Sequence, residues 1–203
     1  MTQESSTRQI NRRTQMKIEN RRQIIEAARR VFAERGHQAV SVRDIVRETD
    51  LASGTFYNYF NSLDELIECI AEESLEQFRT TLEELAQSAG TFEEFAHAGF
   101  RAFFRYSMNE RLELGEGWDV RRVRGASPGA AKVAEEISIY IGDALADRHL
   151  NEAQLKRVTA IAIGMARELS ASGTFNSIEE ADEVAEFASI SLLGAITHLG
   201  LGN

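Results

Sequence analysis

Proline and cysteine are almost absent: one of each occurs in 203 residues. A proline share so far below the usual ~5% argues against disordered, collagen-like or turn-rich chains and favours long helices. A single cysteine, Cys69, excludes an internal disulfide framework and any paired-cysteine metal site, and fits a reducing compartment. No run approaches the ~18 consecutive apolar residues of a membrane span, and the polar opening MTQESSTRQINRRTQMKIEN lacks the apolar core of a secretory signal. The expectation is a cytoplasmic protein with no membrane contact. Sustained alternation of apolar and polar residues is missing too, as are the HExxH, P-loop, GxGxxG and GxSxG signatures of common enzymes.

What is present is helical periodicity. Ile24, Ala27, Ala28, Val31 and Phe32 recur at three and four residues, as do Leu66, Ile70, Leu75, Phe78, Leu82 and Leu85. Ser41, Ser62, Thr91 and Ser177 each precede an acid by three residues, the capping-box spacing, and Asn151 is a further N-cap. Gly36, Gly90 and Gly173 follow periodic segments as stops. The chain therefore reads as all-α, with helices over 18–35, 42–49, 53–60, 63–88, 92–107, 127–147, 152–171 and 178–200. Stretch 108–126 gives no clear pattern.

Charge is unevenly spread. The net charge is -9, yet residues 1–60 carry 11 basic and 7 acidic side chains, and the remainder 12 and 25. A basic head on an acidic body points to a polyanion met by the head alone. Helices 42–49 and 53–60 are too short to persist unaided and are joined by Asp50-Leu51-Ala52. Packed on helix 18–35 they describe an N-terminal three-helix helix-turn-helix DNA-binding domain. At ~100° per residue, Phe56 and Phe60 define a buried side. Gly54, Thr55 and Asn58 then face outward to base edges, and Tyr57 and Tyr59 flank them, with hydroxyls set for phosphate.

The stretch RRQIIEAARRVFAERGHQAVSVRDIVRETDLASGTFYNYFNSLDELI resembles the DNA-binding domain of the tetracycline-repressor family of bacterial transcription regulators, over about residues 20–70. The resemblance implies Ser41 and Arg43 at phosphate, Ser53, Gly54, Thr55 and Asn58 at bases, and Tyr57 and Tyr59 on the DNA backbone. The family usually has a phosphate-binding lysine where this chain has Leu63. The N-terminal arm, 1–17, and the start of the first helix offer substitute cations, among them Arg12, Arg13, Arg21 and Arg22. Domain limits follow as arm 1–17, DNA-binding domain 18–65 and helical ligand-binding and dimerisation domain 66–203.

In the C-terminal part, five of 11 phenylalanines fall within residues 92–104. Phe100, Phe103 and Phe104, with Tyr106, Met108 and Trp118, suit a flexible apolar cavity or plain core packing, and Arg121 and Arg124 a solvated loop or an anionic anchor. Segment RRVRGASPGAAKVAEEI distantly resembles family members that sense fatty acyl groups. Small residues along the last two helices (Ala160, Ala162, Gly164, Ala166; Ala181, Ala185, Ala188, Ser191, Ala195) suit a four-helix interface with a second chain or an internal core around helix 127–147. Glu94-x-x-His97 has di-iron spacing, but its only companion, Glu34-x-x-His37, is broken by Gly36. No metal, cofactor or catalytic set is therefore expected. The sequence supports a homodimeric regulator, a repressor released from a palindromic double-stranded operator by an apolar or amphipathic effector, fatty-acyl compounds among the candidates. The rival is a helical ligand-binding or protein-interaction module without sequence-specific DNA binding.

Overall fold

The computed structural model describes the backbone of residues 2–115 and 128–198, with side chains over 12–115 and 129–198. These residues are helical and contain no strand. In order they form α1 (Thr2–Arg35), α2 (Val42–Arg47), a 3-10 recognition segment (Ser53–Asn58), α3 (Leu63–Ser88), α4 (Phe92–Leu114), α5 (Pro128–Ala144), α6 (Glu152–Ala171) and α7 (Ile178–His198). Among the described residues two compact units result: residues 2–70 with 111–115, and residues 71–110 with 128–198.

Helix starts follow the local chemistry. The Ser41 hydroxyl accepts from the Asp44 N–H while the Asp44 side chain takes the Ser41 N–H, and Asn151 and Gln154 do the same for α6. Ser62, Thr91 and Ser177 accept from the N–H three residues on, at 3.1 Å each. In these three starts the acid reaches one residue further back than in an ordinary capping box. Glu65 takes the Asn61 N–H, Glu94 that of Gly90, and Glu180 that of Asn176. Each carboxylate also lies at the positive end of its helix.

α2 ends at Arg47 rather than 49 and α5 at Ala144 rather than 147, and three further elements differ from the sequence expectation. α1 begins at Thr2 rather than residue 18, because Gln, Glu, Arg and Lys sustain a helix without an apolar stripe to announce it. α4 runs to Leu114 rather than 107, with Ser107, Met108 and Glu110 all buried. The second short helix is the tighter 3-10 form and ends at Asn58.

The first unit is built on Ile24, Ala28 and Phe32 of α1, each fully buried, with Ile45 of α2, Phe56 and Leu66. It also takes in the tail of α4. Glu113 pairs with Arg29, and the Leu114 carbonyl lies 2.9 Å from His37 Nδ1. Gly36 and Gly115 both have positive φ, 73° and 84°. A Cβ on Gly115 would fall on the Gly36 Cα, so glycine is required where the ends of α1 and α4 meet.

In the second unit α6 packs on both α5 and α7. Its core joins Phe92, Phe95, Phe100 and Phe104 of α4 to Ile141, Val158 and Leu192, with Phe175 closing on Phe104 at 5.4 Å. Ala181, Ala185 and Ala188 lie inside this core, which corrects the expectation that they face a second chain. They share a stripe with Leu192 and Ile196, and that stripe is the inner one. The outer face of α7 carries Phe187 and Ile190, 64% and 57% exposed.

Candidate nucleic-acid interface and effector cavity

The recognition segment is short, and its position rests on two rings. Phe56 and Phe60 are buried, with centroids 5.7 Å apart. They anchor the segment from beneath, leaving Ser53, Gly54, Tyr57 and Asn58 exposed and Thr55 and Tyr59 half-buried. Tyr57 is 61% exposed, yet its ring stands edge-on to Phe56 at 5.3 Å, which limits where the hydroxyl points. A Cβ placed on Gly54 meets nothing within 4 Å. Among the described residues no packing requires glycine there.

Around this segment, Arg43 is exposed, whereas Ser41 is committed: its hydroxyl and N–H both bond Asp44. Those bonds, the hydroxyl first, hold the Asp44 carboxyl below its usual range. Arg12 and Arg13 are exposed along α1, not on an irregular arm. Arg21 and Arg22 have partners within the chain. Arg21 donates to Cys69 Sγ and lies 5.5 Å over the Phe60 ring. Arg22 is paired with Glu19 and Glu26 one turn to either side. Arg47, exposed in the last turn of α2, adds a cation beside Arg43 in sequence that motif reading passed over.

The second unit holds an apolar cavity of about 70 Å³. Phe100 and Phe103 line it, as expected from the sequence, together with Phe78, Phe95, Ile137 and Leu192. Phe104, Tyr106 and Met108 do not line it. Phe104 is packed against Phe175, Tyr106 is stacked on Phe78 at 4.9 Å, and Met108 is in the core. Trp118, Arg121 and Arg124 lie outside the described residues. The contributions of α3, α5, α6 and α7 were not visible from the aromatic cluster alone. Their apolar residues sit at ordinary core spacing, and only the fold brings them to one wall.

The Glu-x-x-His spacings have structural uses. Glu94 caps α4, His97 Nδ1 lies 2.8 Å from Ser189 Oγ, and His37 meets the Leu114 carbonyl. Among the described residues no three His, Cys, Asp or Glu side chains are grouped to hold a metal ion. None of the described helices is long and apolar enough to cross a membrane.

Two short helical segments joined by a tight turn, the second anchored on buried rings and exposing polar atoms, define a helix-turn-helix DNA-binding domain. Residues 24–70 match the family of bacterial regulatory proteins, tetR family. Residues 24–70 thus carry the DNA-binding domain of that family. The fold extends to solved structures. A TetR-family transcriptional regulator from Pectobacterium atrosepticum is 22% identical with a TM-score of 0.68, over 91% of this chain and 95% of that one. The fatty acid degradation regulator FadR from Bacillus halodurans is 17% identical with a TM-score of 0.67, over 87% and 95%. RolR in complex with resorcinol is 20% identical with a TM-score of 0.64, over 90% and 89%.

Proposed function

We propose that this chain is a tetR-family regulator that acts as a homodimer, represses transcription from a palindromic operator and releases it when an apolar or amphipathic small molecule enters the second unit. The observation that carries the reading is the division of the recognition segment, with Phe56 and Phe60 inward and Gly54, Tyr57 and Asn58 outward. In this reading Ser53, Gly54, Thr55 and Asn58 meet base edges and Tyr57 and Tyr59 reach phosphate. Arg43, with Arg12 and Arg13 on the extended α1, supplies the sequence-independent attraction. Residues 1–65 then serve DNA and residues 66–203 serve the ligand and the second chain.

Dimerisation is supported by helix faces that none of the described residues covers. Gly164 in α6 and Gly194 in α7 sit inside helices, where glycine costs roughly 0.5–1 kcal/mol relative to alanine. A Cβ on either would meet nothing within 4 Å. Internal packing therefore does not explain these glycines, and the close approach of another helix does. Ile161, Phe187 and Ile190 lie exposed on the same two helices. A twofold dimer presents two recognition segments to successive half-sites, about one DNA turn apart or a multiple of it.

Ligand response is supported by the wholly apolar lining of the cavity and by similarity to a fatty acid degradation regulator and to a structure holding resorcinol. Drug-sized ligands occupy roughly 300–1,000 Å³, so a cavity of about 70 Å³ must widen to take one. That widening displaces α3 and α4, whose residues form part of both compact units. The test is selection of a binding site from random DNA, followed by fluorescence anisotropy with and without candidate effectors. A palindrome should emerge, and Asn58→Ala should weaken it by roughly 1–3 kcal/mol. If no sequence is enriched while the chain binds a protein or small molecule alone, the interaction-module reading replaces this one.

A further inference from the structure

Phe95 separates two spaces in the second unit. One is the apolar cavity. The other, of about 250 Å³, is lined by Ala86, Gly90 and Thr91 around the α3–α4 turn and by Tyr140 and Asp143 of α5, with Phe95 as the shared wall. The rings of Phe95 and Tyr140 stand at 75° with centroids 6.2 Å apart and make an aromatic corner. Asp143 is the one formal charge among the lining residues, and it is exposed.

The surroundings reinforce that sign. Glu94 takes the Gly90 N–H at 2.8 Å and offsets the positive end of α4 at this wall. The Tyr140 hydroxyl is held above the usual phenol range, first by burial and then by the Glu136 and Glu83 carboxylates. The cation that opposes them, Arg79, is itself bound by Glu76 and Glu136. An anionic head entering here loses its hydration and meets a carboxylate with no cation in the wall. An ammonium head instead finds two aromatic rings and a carboxylate, the surroundings that bind quaternary ammonium groups.

We propose that the two spaces form one binding site for a cationic amphiphile, with its ammonium head between Tyr140 and Asp143 and its alkyl chain passing Phe95 into the apolar cavity. This names the effector class and rests on the reading that the second unit takes a ligand. It also sets the head-group preference opposite to that of a free fatty acid.

The experiment is calorimetric titration of the full chain with octyltrimethylammonium, octanoate and octanol, all below micelle formation. The ammonium compound should bind at least about tenfold more tightly than octanoate. Asp143→Asn, at an exposed position, should cost the ammonium compound about tenfold and leave octanol within about twofold, with an unchanged circular dichroism spectrum. Tyr140→Leu should weaken the ammonium compound in the same direction. Octanoate binding as tightly as the ammonium compound, or an Asp143→Asn protein that keeps the preference, overturns the proposal. Operator affinity measured alongside separates the two readings. Asp143-dependent ammonium binding that leaves operator affinity unchanged upholds this site and defeats effector release. Release of operator by octanol or octanoate, without any ammonium preference, upholds effector release and defeats this site.

Discussion

Phe187 and Ala188 are neighbours on α7 with opposite environments, and the pair discriminates between an assembly face and a core. Phe187 is 64% exposed and Ala188 fully buried. Full burial of a phenylalanine side chain is worth roughly 1.5–3 kcal/mol. With nearly two-thirds of that surface still open, covering it in a dimer adds roughly 1–2 kcal/mol per protomer. Twofold symmetry doubles this to about 2–4 kcal/mol, or roughly 30- to 1,000-fold in dimer dissociation constant. Phe187→Glu should reach or exceed that loss, because it also sets two like charges against a dry surface. Sedimentation velocity across a concentration series should show a monomer, and the thermal midpoint of that monomer should equal that of the parent diluted below its dissociation constant. Ala188→Glu should behave differently. It buries a charge within the protomer core and should unfold the second unit rather than separate chains. A Phe187→Glu protein that remains dimeric refutes the assignment of this face.

Further outcomes follow from other contacts. Gly54→Ala should leave stability unchanged or slightly raised, since the added methyl meets nothing within 4 Å, while operator affinity falls in anisotropy titrations. Tyr57→Phe should weaken selected and random DNA together, because a phosphate contact carries no sequence information. Deleting residues 1–13 removes Arg8, Arg12 and Arg13 and should lower the slope of log affinity against log salt by up to about 3. Asp182 takes two hydrogen bonds from Arg105, at 2.8 and 2.6 Å, which hold its carboxyl below the usual aspartate range. Its folded value is the lower one, so its stabilisation is present above the unfolded pKa of ~3.9 and is lost as pH falls through the folded value. Asp182→Asn should therefore flatten the acid side of a plot of thermal midpoint against pH.

Local chemistry made much of this molecule legible. The predicted bounds of α3 and α6, 63–88 and 152–171, coincide with the observed helices, because Ser62 and Asn151 are caps whose bonds form within one turn. Burial of Phe56 and Phe60 is expected from α-helical spacing, although the segment is a 3-10 helix that ends at Asn58 and leaves Thr55 half-buried. What escaped depends on partners distant in sequence. The contact of Arg21 with Cys69, 48 residues away, and with the Phe60 ring is not visible from spacing. The alanines of α7 look equally suited to a core and to an interface, and only α4, α5 and α6 decide between them. Phe104 belongs to the same aromatic run as Phe100 and Phe103, but Phe175 claims it.

The join between Gly36 and Gly115 means that the DNA-reading unit is not one continuous piece of chain. During synthesis, residues 1–70 can coil into helices, but Arg29 and His37 gain Glu113 and the Leu114 carbonyl only once α4 has been made. The reading head thus closes late, around a contact nearly eighty residues apart in sequence, the kind of non-local closure that slows folding. The same arrangement constrains domain exchange. A chimera cut after residue 70 would carry the recognition segment but not the stretch that completes its scaffold. A transplant that keeps residues 111–115 together with the head, glycine included, would preserve it.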